Sequence, residues 1–195
     1  MATTATPSGA EPVNTLSASG SFSGKVRHIK IASNYGTAIF YGDFVKLVAA
    51  GTVEKAAVTT SVVAGTVGIF MGCSFTDPTT SQLTFSQHYP ASTVASDTVA
   101  LVCDDPKLLF LMQGDEAIAQ TGLGNNVSAV NTAGSTSIGR SRNALDGGSI
   151  ATTNSLPLRI VDFVDGPSST VGDAFTDCLV TYLPLSHAYE TKLGV

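Results

Sequence analysis

The residues able to do chemistry are few and widely separated. His28, His88 and His187 stand far apart, and none has a second histidine four residues away. A metal site needs several such ligands to converge, so lone histidines read as surface or structural groups. The cysteines, Cys73, Cys103 and Cys178, are odd in number and form no C-x-x-C or Cys/His pair at zinc spacing. Each is flanked by apolar or β-forming residues, which points to buried, reduced thiols in a protein made in a reducing cytoplasm. Gly72-Cys73-Ser74-Phe75-Thr76 comes nearest to a nucleophile elbow, but no basic neighbour is at hand to lower a thiol pKa. Asp104-Asp105 precedes Pro106, and neighbouring strand residues point to opposite faces, so the doublet reads as solvated turn acids. Gly122-Leu123-Gly124-Asn125-Asn126 is a fragment of a phosphate loop without the third glycine or the strand–loop–helix frame. No catalytic, cofactor-binding or metal-ligating residue is assigned, and no enzyme or cofactor is expected. Arg140 and Arg142 remain, two cations in a polar stretch that could engage a carboxylate-bearing partner surface.

The composition agrees with a protein built for contact rather than catalysis. Charged residues make up 13% of the 195, against about a quarter in ordinary soluble domains. The net charge of −5 argues against gripping a nucleic-acid backbone, which needs a basic surface. No apolar run reaches the roughly 18 residues of a membrane helix, so no membrane partner is expected.

The elements that must position these residues read as β. Residues 26–31 alternate apolar and polar, and 38–48 are rich in aromatic and β-branched side chains, broken by Gly42-Asp43 as a tight turn or bulge. Short strands are expected at 52–58, 66–75, 82–89, 98–103, 107–112, 156–164 and 177–183, punctuated by Asp-Pro, Pro-Ala and Ala-Ala-Gly loops. Pro157 and Pro184 belong at strand ends. The expectation is an all-β fold, a single β-barrel or β-sandwich over residues 25–190 with an extended N-terminal arm. Residues 113–154 read as a loop-rich excursion, with a helical turn at 115–120, and 191–195 as a C-terminal tail. Residues 1–24 are Ala, Thr, Ser, Gly and Pro with Leu16 and Phe22 as the large apolar side chains. Too poor in apolar surface to fold alone, they read either as a disordered tail or as an arm ordered against a partner. Leu16, Phe22 and Val26 are spaced as the anchors of such an arm.

Several stretches together carry a resemblance. Residues 31–48 (IASNYGTAIFYGDFVKLV), 68–78 (GIFMGCSFTDP), 85–90 (FSQHYP), 104–106 (DDP), 156–163 (LPLRIVDF) and 173–180 (DAFTDCLV) resemble a family of small structural proteins of tailed bacteriophages. Members of that family accompany the major capsid protein and decorate or cement the head. The resemblance covers roughly Arg27 to His187 and implies no catalytic residues. It implies a virion protein on the capsid surface, made in the host cytoplasm, with the phage major capsid protein as partner and a homo-oligomer, most often a trimer. Leu16, Phe22 and Val26 are then candidate capsid-contact residues and Arg140 and Arg142 candidate loop contacts. A phage tail-tube or head–tail adaptor subunit stays open as an alternative, as does a small hydrolase using Cys73 or a serine.

Overall fold

The computed structural model describes residues 4–16, 24–59 and 65–191. Strands account for 43% of the described residues and no helix among them reaches seven residues, so the fold is all-β. In chain order the strands are β1 (Glu11–Thr15), β2 (Arg27–Lys30), β3 (Ile39–Phe40), β4 (Phe44–Leu47), β5 (Val53–Lys55), β6 (Thr66–Thr76) and β7 (Leu83–Ser86). They continue as β8 (His88–Tyr89), β9 (Val99–Cys103), β10 (Leu108–Gln113), β11 (Asn126–Val130), β12 (Ala144–Ala151), β13 (Leu158–Phe163) and β14 (Asp177–Tyr182). One sheet has the order β1-β10-β14-β13-β11-β12, and a second β2-β9-β6-β4-β5, with β7 added along β6. A two-stranded ribbon, β3-β8, completes the set. The sheets pack face to face as a sandwich, and no barrel closes.

Period-two alternation decides which side chains meet between the sheets. Leu108, Phe110 and Met112 of β10 and Cys178, Val180 and Tyr182 of β14 turn inward, joined by Leu158 and Ile160 of β13. Phe44, Ile69 and Cys103 meet them from the second sheet, with Phe44, Phe110 and Tyr182 in mutual edge or tilted contact. Each such fully buried side chain is worth about 1.5–3 kcal/mol over its exposed state. The second sheet is buried on its other face too. Val45, Val67, Phe70, Cys73, Phe75, Ala100 and Val102 cluster there with Ile39 and Tyr89 of the small ribbon. This double burial is why β6 reads as a nearly unbroken apolar run rather than an alternating one.

Two expectations are corrected. The N-terminal segment is in part an integral strand, since β1 pairs antiparallel with β10 of its own chain, and Leu16 N–H donates to the Lys107 carbonyl at 2.8 Å. Backbone pairing needs no apolar pattern, and closing a loop within one chain costs less than recruiting a partner. Pro12 is tolerated because β1 is an edge strand. Residues 113–154 are likewise no mere excursion, for β11 and β12 form the far end of the first sheet, and the short helical turn lies at Gln120–Gly122. β12 carries Gly147 where a Cβ would come within 2.6 Å of the Glu116 side chain, so its sequence lacks strand character for a steric reason.

Gly42-Asp43 breaks the 38–48 stretch into β3 and β4, and its role is larger than a turn. Gly42 takes φ +87°, and a Cβ there would meet the Ser8 carbonyl at 2.9 Å. Asp43 is fully buried and all four of its acceptor positions are used. Oδ1 accepts from Ser141 Oγ (2.6 Å) and Asn143 Nδ2 (3.1 Å); Oδ2 accepts from Phe40 N–H (2.9 Å) and faces Lys55 Nζ at 2.8 Å. Removing this carboxylate strands an ammonium, a backbone amide, a side-chain amide and a hydroxyl around a void. Asp43→Ala is expected to lose about 3 kcal/mol of unfolding free energy in urea, and Asp43→Asn less, because an amide keeps part of the bonding. A loss under about 1 kcal/mol for the alanine variant would contradict this account.

Candidate functional site

The groups singled out for chemistry do not converge. Among the described residues no cluster of three or more His, Cys, Asp or Glu side chains could hold a metal ion. His28 projects from the exposed face of β2, while His88 stacks on Phe40 with ring centroids 5.5 Å apart. Cys73, Cys103 and Cys178 are free and buried, as their surroundings in the sequence suggest. Burial pushes the three thiols up to about 12, about 11 and about 12, so none is a thiolate at neutral pH. Cys73 Sγ lies 3.5 Å from the backbone carbonyl of His88, not from its ring, so no Cys–His dyad forms.

Asp104 and Asp105 are not a solvated pair. Asp104 is buried, accepting from Arg27 Nε at 2.5 Å and from the Tyr189 hydroxyl at 3.0 Å. Asp105 instead takes the Lys107 N–H at 2.8 Å within the turn. The opposite directions of neighbouring side chains hold, but one of them points at the C-terminal segment rather than at water. His187 in that segment is also fully buried, between the rings of Tyr182 and Tyr189 at 5.2 Å each. Burial lowers its pKa, opposed by a bond to the Val67 backbone and by the charges of Glu190, Asp104 and Asp105.

The proposed contact residues divide. Leu16 is 48% exposed at the end of β1, Val26 is half-buried before β2, and Phe22 lies outside the described residues. Arg140 and Arg142 share the segment that returns from the 135–140 turn, alternating with Ser141 and Asn143, which point inward to Asp43. The Arg140 guanidinium sits 5.1 Å from the centre of the Tyr41 ring and 3.8 Å from the Glu11 carboxylate. Arg142 is exposed.

One surface was not foreseen from the sequence. β7 reads Leu-Thr-Phe-Ser, and its alternation would turn Leu83 and Phe85 inward. The structure has the reverse: Leu83 is 63% and Phe85 74% exposed, while Thr84 and Ser86 are half-buried. Register sets the row Lys30–Val99–Ser74–Phe85 across four strands on this outer face, with Leu83 opposite Thr76 in the next row. The far edge of β7 pairs with nothing among the described residues, and no charge interrupts Gln82 to Gln87. The signal was available only as a mismatch between an apolar pattern and its burial.

No family model matches the chain, and neither characterised proteins nor solved structures give a match. Among the described residues no helix is long and apolar enough to cross a membrane.

Two outcomes follow from the burial of these groups. Iodoacetamide at neutral pH should leave all three thiols unmodified in the folded protein and label them on unfolding; rapid labelling of any one would show a reactive thiolate. The unfolded His187 takes its proton near pH 6.5, the folded one only at lower pH. Between those values the unfolded chain binds more protons, so stability is unaffected above about pH 7.5 and falls as pH drops through 6.5. In His187→Phe, which keeps a ring between the tyrosines, the loss in urea stability from pH 7.5 to 5.5 should shrink; an unchanged slope would assign it to other groups.

Proposed function

We propose that this protein is a structural component of a tailed-bacteriophage virion that binds the outside of the capsid and stabilises it through contacts with the major capsid protein. Two things support the reading: the resemblance of the sequence motifs to those of small phage structural proteins, and the inverted strand β7. The observation that carries it is Leu83 and Phe85 standing outward on an uncharged, unpaired sheet edge. Natural edges are normally guarded by charge, proline or cover, and exposed large apolar pairs mark contact surfaces. Strand addition along β7 by an extended segment of the shell protein would satisfy its backbone, and the two side chains would bury against that partner. A homo-oligomer, with a trimer favoured, fits the same role, as shell accessory proteins sit on local symmetry axes.

Mass spectrometry of purified particles should find the chain at a copy number in step with the major shell protein. A few copies per particle, or ring-shaped density at the tail or portal, would replace this reading with a tail-tube or adaptor subunit. Leu83→Asp/Phe85→Asp should fold, since both side chains are exposed, yet lose at least about tenfold in occupancy on particles. Undiminished occupancy would exclude β7 as the contact.

A further inference from the structure

Of the four arginines, Arg27 is bound to Asp104 and Arg159 donates to Asn126 Oδ1. The guanidinium groups of Arg140 and Arg142 make no hydrogen bond among the described residues. Both line a half-open cleft of about 480 Å³, whose other wall is residues 5–8 of the N-terminal segment. That volume is within the range of about 300–1,000 Å³ usual for ligand clefts. No acidic side chain lines it, although the chain as a whole carries −5. Ile138, 60% exposed, adds an apolar contact at the rim.

From this arrangement we infer that the cleft binds an extended acidic segment of a partner protein, its carboxylates taken by Arg140 and Arg142. The backbone under both arginines is held in place, and one of the two side chains is supported as well. Ser141 and Asn143 are fastened to Asp43, so the backbone that carries both cations is fixed, and the Arg140 guanidinium rests over the Tyr41 ring. A guanidinium presents five donors in a planar fork that matches a carboxylate, so less freedom is lost per hydrogen bond than with an ammonium. The molecule itself supplies an example of the ligand. Glu11, outside the cleft lining, reaches Arg140 at 3.8 Å, too far for a hydrogen bond, and so offers this guanidinium a loose internal carboxylate. A nucleic-acid backbone is the weaker candidate, since the net negative charge repels a polyanion and the two cations make only a short positive patch.

The test is independent of the capsid reading, because it examines the cleft with a probe and needs no virus particle. The full chain, labelled with ¹⁵N, is titrated with a short oligoglutamate peptide, with oligolysine and single-stranded oligothymidylate as controls. Oligoglutamate should give saturable shifts at the amides of Thr6, Ser8, Ile138 and Arg142, weakened by added salt. Arg142→Glu should lose at least about tenfold in affinity, as expected for a lost charge-assisted pair and an added repulsion. The Phe40 and Thr132 amides, bonded to Asp43 and Asn143, report that the variant keeps its fold. Glu11→Gln should bind several-fold more tightly by releasing Arg140, an effect that a merely structural arginine would not produce. Absence of saturable shifts at these amides, unchanged affinity in either variant, or equal binding of oligothymidylate at the same residues would overturn the assignment.

Discussion

A buried carboxylate with every acceptor position filled is a demanding constraint, and Asp43 imposes it on three separate parts of the chain. It must have Lys55 from β5, the Phe40 amide from the end of β3, and Ser141 with Asn143 from the segment before β12. Such a group is tolerable in the interior only if all its partners arrive together, because the penalty for a half-satisfied charge is several kcal/mol. The network therefore holds the polar 131–143 segment, which has little apolar surface of its own, in one place against the second sheet. Residues 8–10 close over the same junction: Ala10 N–H donates to the Gly42 carbonyl at 2.9 Å, and Gly9 lies where a Cβ would strike Ser141. The cleft with its two arginines is a by-product of this fastening.

The strands with alternation and β-branched or aromatic content were legible in the sequence: β9, β10, β13 and β14 fall where the pattern places them, with Pro157 and Pro184 just outside their ends. What was not legible has physical causes. β1 (Glu-Pro-Val-Asn-Thr) and β12 (Ala-Leu-Asp-Gly-Gly-Ser-Ile-Ala) are edge strands held by backbone pairing and local packing, neither of which leaves a periodic side-chain signature. Asp43 was visible only as half of a turn dipeptide, because its partners lie up to 100 residues away in sequence. The burial of His187 and Asp104 depends on the C-terminal segment folding back over the sheet. That contact joins residues 85 positions apart through the Tyr189 hydroxyl.

The candidate contact surfaces divide along the same line. Arg140 and Arg142 could be picked out by residue type, since few cations sit in that polar stretch. Their orientation came from the inward-facing residues between and beyond them. β7 is the opposite case. Its pattern is a good strand pattern, and only the burial of Thr84 and Ser86 in place of Leu83 and Phe85 shows that it faces the wrong way for a core. Bulges in β6 on either side shift which of its faces is presented, so the face that Phe85 joins is set by its neighbour and not by its own sequence.

The sheet ends differ in how open they are to growth. β1 carries Pro12 and a bulge, β2 presents Arg27, His28 and Lys30, and β5 is bridged to Ile31. Leu145 at the start of β12 is engaged by Gly114 and Asp115. Against these, β7 is, among the described residues, the sheet end without charge, proline or bulge, one open bond for strand pairing. A unit with one such bond to give can terminate a sheet or complete another protein's, but it cannot propagate a chain of sheets. Copies joined only through that edge would pair and stop, short of the fibrous polymers that two open edges per copy would permit.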